Sequence, residues 1–268
     1  MKTKLAYVGR GTLNLVVVLA VLFGLQALIR GRVPQSLGLF LVSLALVGSY
    51  LAGVRWIERR QPSELLARAG FAEFAAGLAL GLALFTTLML LLWMFGVYHP
   101  SGWGSVAPLA GGLWTAFLAA ILEEIVFRGF LFRLSAKLLG TWGALALTSV
   151  LFGAAHAFNH GATVGSSIAI ALEAGVLLGA AYAMTQRLWL PIGLHLGWNF
   201  TEGSIFGMSV SGGTTKASLI IGTLRGHDLL TGRAFGPEAS IVAVAICLAT
   251  SVLLLWRTVR FGSPEPQA

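Results

Sequence analysis

Long apolar runs separated by short polar connections dominate the chain, and eight of them are long enough to cross a ~30 Å hydrocarbon core. They cover 12–29, 35–54, 72–97, 111–132, 141–158, 166–185, 188–206 and 239–256. No credible strand is visible. The pattern predicts an all-α, polytopic membrane helix bundle of about eight transmembrane helices, with 1–268 as a single integral membrane domain. Met1, Lys2, Lys4 and Arg10 resemble the start of a signal peptide. The run behind them shows no convincing small-residue cleavage site, so it reads as a retained transmembrane helix.

Composition agrees. Hydrophobic residues make up 57% of the chain and charged residues only 10%, against about 25% charged in a soluble domain. That supply of charge is too small to cover a soluble core. The single cysteine, Cys247, forms no intrachain disulfide and no thiolate metal site by itself. The net charge of +8 sits between the apolar runs rather than in a stripe, so nucleic acid is not an expected partner and the lipid bilayer is. With the N-terminus inside, the inner loops carry 12 Lys and Arg, including Arg55, Arg59, Arg60, Arg68, Arg133 and Lys137. The outer loops carry 5: Arg30, Arg32, Lys216, Arg225 and Arg233. The bias places both termini in the cytoplasm, and the expected location is the cell inner membrane. Segment 55–70 reads as a charged cytoplasmic loop, and 207–238 is the longest polar connection, folded over the outer face.

Polar residues inside the runs carry the chemistry, because a charge at mid-bilayer costs about 2.5–3.5 kcal/mol. In the fourth run, Glu124 and Arg128 share a helix face at i, i+4, which leaves the neighbouring Glu123 as a separate carboxyl in a low dielectric. That environment suits a general base. The fifth run ends with Phe152 and His156 one turn apart, and the seventh places His195 and Asn199 on one face. Side chains of the latter kind donate hydrogen bonds to a developing oxyanion, although interhelical hydrogen bonding is their common structural use. Converging in the bundle interior, these groups suit water activation and peptide hydrolysis within the membrane.

Glu123-Glu124-x-x-x-Arg128, Phe152-x-x-x-His156 and His195-x-x-x-Asn199 resemble the three motifs of the CPBP family. This is the family of intramembrane proteases that includes type II CAAX prenyl endopeptidases and bacteriocin-processing relatives. The resemblance spans 111–206, the motif-bearing catalytic core. It implies Glu123 and His156 as the pair that activates water, His195 and Asn199 as the oxyanion hole, and Glu124 and Arg128 as supporting residues. It implies an endopeptidase acting on a membrane-associated peptide or protein, prenylated or not, from a cytosol-facing cavity. Cofactors are expected to be none. Zinc stays open, since Glu123, His156 and His195 would offer three ligands, but H-E-x-x-H is missing and Asn199 is a poor zinc ligand. The alternative is a non-proteolytic membrane scaffold or regulator on the same fold. A proton-coupled transporter is disfavoured by the lack of an internal repeat.

The remaining intramembrane carboxyls are assigned more loosely. Glu173 is a structural carboxyl, a cavity-lining group or a partner for a histidine, and Glu202 either extends the site or, as preferred, marks the outer interface. His160 reads as a loop residue. Gly77-x-x-x-Gly81 and Gly175-x-x-x-Gly179 read as helix-packing faces. Trp114, Trp142 and Trp198 are expected inside the bundle. By run boundaries alone, His156 and His195 differ in depth by roughly 12 Å, so a broken helix, a tilt or a shifted boundary has to bring them level.

Overall fold

The computed structural model describes residues 2–65, 70–214 and 217–262; Arg68 and Lys216 of the charge count lie outside them. The chain is an all-α bundle. Its helices are α1 (Lys2–Ile29), α2 (Gln35–Trp56), α3 (Gly70–Met94), α4 (Leu109–Glu124) and α5 (Arg133–Ala155). They continue with α6 (Val164–Ile170), α7 (Val176–Thr185), α8 (Trp189–Phe200), the one-turn α9 (Asp228–Thr231) and α10 (Ile241–Phe261). Three wider π-helical segments join consecutive helices or extend them: Ile125–Phe132, Ala171–Gly175 and Thr201–Ile205.

Six helical stretches among the described residues are long and apolar enough to cross a membrane. The expected fourth and fifth spans fall in one of them, Leu109–Phe158. Gly140 folds that stretch into a hairpin, with φ 70° and ψ 174°, a conformation open to glycine and strained for other residues. The expected seventh span is α8 with its π extension, too short to count alone. Eight is therefore an approximate number of legs rather than of separate long helices. Large apolar side chains such as Leu13, Phe23, Leu44, Leu90, Val150 and Leu253 stay exposed on the outside of the bundle, as lipid contact requires. Trp198 is buried as expected, but Trp142 points outward at 59% exposure.

Two segments do form strands. β1 (Tyr98–Trp103) pairs antiparallel with β2 (Ile220–Leu224), from Tyr98 opposite Leu224 to Trp103 opposite Ile220, with an irregularity between Pro100 and Gly102. Pro100 and Gly102 weaken any strand signal, and the pairing joins loops 120 residues apart. It ties the long connection before α10 to the end of the bundle where α3 stops.

The 57–65 segment is less solvated than its charge suggests. Glu58 and Glu64 are buried, and Arg60 reaches both at 2.9 Å. Asn14 of α1 donates to Glu58 at 2.8 Å, and Arg133 pairs with Glu58 at 2.8 Å and donates to the Tyr7 hydroxyl at 2.6 Å. Burial pushes the Glu58 carboxyl up, but Arg133, Asn14 and Arg60 outweigh it and hold the carboxyl below its ordinary range. This knot fixes α1 and α2 to the start of α5.

Candidate active site

Gly140 lies 17 residues after Glu123 and 16 before His156. The hairpin folded there returns His156 to the level of Glu123. The outgoing leg continues past Phe132 before it reverses, and a Cβ on Gly179 of α7 would lie within 4 Å of both Phe132 and Leu145. Despite the depth difference expected from the run boundaries, both histidines reach the same Glu123 carboxylate, at 3.9 Å each.

α8 is held by glycine. A Cβ on Gly193 would sit 2.2 Å from the Phe74 carbonyl oxygen, and one on Gly197 2.4 Å from the Leu78 oxygen. Across the same seam, Gly77 and Gly81 of α3 leave no room against the Leu190 and Leu194 oxygens, at 2.2 Å each. Gly77-x-x-x-Gly81 thus has a partner, Gly193-x-x-x-Gly197, and the two backbones touch. His195 lies about 200° around α8 from Gly193. The face opposite the glycines is therefore the one that presents His195 and Asn199. Arg187, just ahead of α8, donates to Glu73 of α3 at 2.9 Å and fixes the register of the pair. Gly175 and Gly179 play the parallel role against Ser149 and Leu145 of α5.

The sequence-predicted residues come together. His156 Nε2 and His195 Nε2 each lie 3.9 Å from Glu123 Oε2. Glu123 is the most accessible of the three, with 27% of its side chain exposed, while both histidines are buried. Glu123, His156, His195 and Asn199 line one open cavity of about 440 Å³, walled on the far side by His160 and the Val210–Gly213 turn. Glu124 is fully buried and pairs with the fully buried Arg128 at 2.8 Å. Arg128 also donates to the Ala174 and Gly175 carbonyls, at 3.2 Å each, and stacks over the Phe152 ring.

The two imidazoles have different partners at Nδ1. His156 Nδ1 meets the Phe152 carbonyl oxygen at 2.7 Å, and His195 Nδ1 meets Glu124 Oε1 at 3.0 Å. Both partners are acceptors, so Nδ1 carries the proton in each ring and Nε2 faces Glu123. Phe152 also packs on His156, with ring centroids 4.7 Å apart, so the second motif orients its histidine by ring and by carbonyl.

A zinc ion with bonds of about 2.0–2.1 Å draws its ligand atoms to within roughly 3.4 Å of one another. The separations here are 3.9 Å. Among the described residues, no group of three or more His, Cys, Asp or Glu is placed to hold a metal ion. The side chains as they stand do not form a zinc cage.

Glu202 departs from the preferred expectation, while Glu173 takes one of the places expected for it. Glu202 is fully buried rather than at the interface, within reach of Glu238 and Trp198. Seven residues after His195, it lies on the same inward face. Glu173 is buried against the Cys247 thiol at 3.7 Å, not against a histidine. Sequence reasoning passed over Glu238, whose carboxylate accepts the Ser211 N–H at 2.6 Å and so braces the Val210–Gly213 wall. Burial pushes the Glu238 carboxyl up. Its only sequence signal was an acidic residue beside Pro237 in a polar connection.

These features define an integral membrane protein with a polar site enclosed by helices and open to one cavity. Residues 105–201 match the family model described as type II CAAX prenyl endopeptidase Rce1-like, a stretch that contains all three motifs. The match is a similarity of this segment to a family of CAAX-type endopeptidases. No curated protein and no solved structure matches the chain.

Proposed function

We propose that the protein is an intramembrane endopeptidase that hydrolyses a peptide bond of a membrane-associated peptide or protein, with 111–206 as its catalytic core. The observation that carries this reading is the convergence of both histidine Nε2 atoms on Glu123 Oε2, 3.9 Å from each, on the wall of an open cavity shared with Asn199. A water placed between Glu123 Oε2 and His156 Nε2 lies about 2.8 Å from both. His156, with a neutral carbonyl at Nδ1, has an Nε2 lone pair to offer. It and the Glu123 carboxylate take the water proton as the oxygen attacks the scissile carbonyl carbon. His195 faces two carboxylates, Glu124 at 3.0 Å and Glu123 at 3.9 Å, which favour its doubly protonated form. It then donates to Glu124 from Nδ1 and to the oxyanion from Nε2, beside the Asn199 amide. Collapse of the intermediate breaks the C–N bond, and the held proton passes to the leaving amine.

Each of these steps uses side chains alone, and the reading is metal-free. The substrate arrives from the bilayer, with or without a prenyl group, and the protein sits in the inner membrane with both termini in the cytoplasm. The test is cleavage of a pooled library of prenylated and plain membrane-peptide reporters by purified protein, with and without a chelator. Cleavage that survives chelation is expected. Activity lost on chelation and restored by zinc would overturn the metal-free mechanism and keep the peptidase.

A further inference from the structure

Behind the site lies a second, narrower chamber. His156, His195, Asn199 and Ser211 line both it and the open cavity, so these four side chains form a common wall. The rest of its lining is nearly inaccessible from outside: Phe152 is 1% exposed, Glu173 2% and Trp198 4%. It has space for about one ordered water.

The lining is unusual for the interior of a membrane bundle. Among the described residues, Glu173 Oε2 and Trp198 Nε1 make no hydrogen bond of ordinary geometry, although the Trp198 N–H lies within reach of the adjoining Glu202 carboxyl. A buried donor or carboxylate left bare costs several kcal/mol in such surroundings. Apolar voids of this size stay dry, whereas polar ones with two or more unmet groups hold water. Trp198 supplies a donor and Glu173 an acceptor, which is what one water needs.

Hydrolysis consumes one water per turnover, and a substrate that fills the open cavity shuts out bulk solvent. We propose that the chamber is a water-binding site that supplies the attacking water through the wall of His156 and His195, with Glu173 and Trp198 as the groups that hold it. The proposal rests on the peptidase reading. Glu173 acts as a positioning residue for water, since it is not among the groups that touch Glu123.

The test compares Glu173→Leu with Glu173→Gln on two substrates, a membrane-embedded reporter and a short soluble peptide that leaves the cavity wet. Glu173→Leu is expected to lower kcat on the embedded reporter by roughly tenfold with KM unchanged. The soluble peptide should be cleaved at the wild-type rate, and Glu173→Gln, which keeps a polar atom, should behave as wild type on both. Equal loss on both substrates, or no loss on either, overturns the proposal. Radiolytic hydroxyl-radical labelling of purified protein reads the water without catalysis. Trp198 should be oxidised despite its burial, and less so in Glu173→Leu. An unlabelled Trp198 overturns the water site whatever the kinetics. Cleavage that persists in Glu123→Gln instead overturns the peptidase site and leaves the labelling result standing.

Discussion

His195 Nδ1 lies 3.0 Å from Glu124 Oε1, and that contact makes the two histidines of the site chemically unequal. His156 has a backbone carbonyl in the same position. One ring is paired with a negative charge and the other with a dipole. A charged donor and a neutral acceptor are the two roles that peptide hydrolysis needs on opposite sides of the scissile carbonyl.

Glu124→Gln removes the charge opposite His195 but keeps an acceptor for Nδ1. It should lower kcat by roughly 10²–10³, the scale of one lost oxyanion donor, with KM little changed. His195→Gln should give a similar loss alone, and the double variant should lose little more, because both act through one donor. Steady-state kinetics on a cleavable reporter read this directly.

Arg128 and Glu124 are both fully buried, so removing one partner strands the other. Arg128→Met should destabilise the bundle by roughly 3–5 kcal/mol. Arg128→Met combined with Glu124→Gln should recover much of that. Thermal unfolding in detergent measures both.

The backbone contact between α3 and α8 sets the position of His195. Gly193→Ala, whose methyl would sit 2.2 Å from the Phe74 oxygen, should destabilise by roughly 1–3 kcal/mol. It should also cut kcat by moving His195. Gly48→Ala of α2 is the control: a Cβ there meets nothing within 4 Å, so stability should hold or rise by about 0.5–1 kcal/mol.

The Glu58 knot predicts acid sensitivity. Its carboxyl is held below the ordinary range in the fold, so its contribution is present above the unfolded value of about 4.3. That contribution fades as pH falls through the lower folded value. Unfolding midpoints measured between pH 7 and pH 3 should drop toward acid, and Glu58→Gln should be less stable at neutral pH with a flatter acid limb.

What could be read in the sequence was what repeats at helical spacing. Glu124 and Arg128, Phe152 and His156, and His195 and Asn199 are all i, i+4 pairs, and both spaced-glycine faces follow the same period. The carboxyl network was hidden because Glu58, Arg133 and Asn14 come from different elements and meet only when the bundle closes. Glu202 was misjudged by its place near the end of the run, although it follows His195 by seven residues and so shares the inward face. β1 is interrupted by Pro100 and Gly102, β2 is only five residues long, and the two lie far apart in sequence, so no periodicity announced them. The reversal at Gly140 falls in the gap between the fourth and fifth runs, but nothing in the apolar pattern distinguishes a glycine that folds a helix from one that only packs.

The central claim is that the Glu123 carboxylate activates water for peptide hydrolysis. Its most direct test is cleavage of a membrane-embedded reporter by purified protein, with Glu123→Gln and His156→Ala assayed beside the wild type for both turnover and reporter binding. The account predicts that both variants bind the reporter as the wild type does and lose at least about 10² in turnover. Wild-type turnover by Glu123→Gln would contradict it.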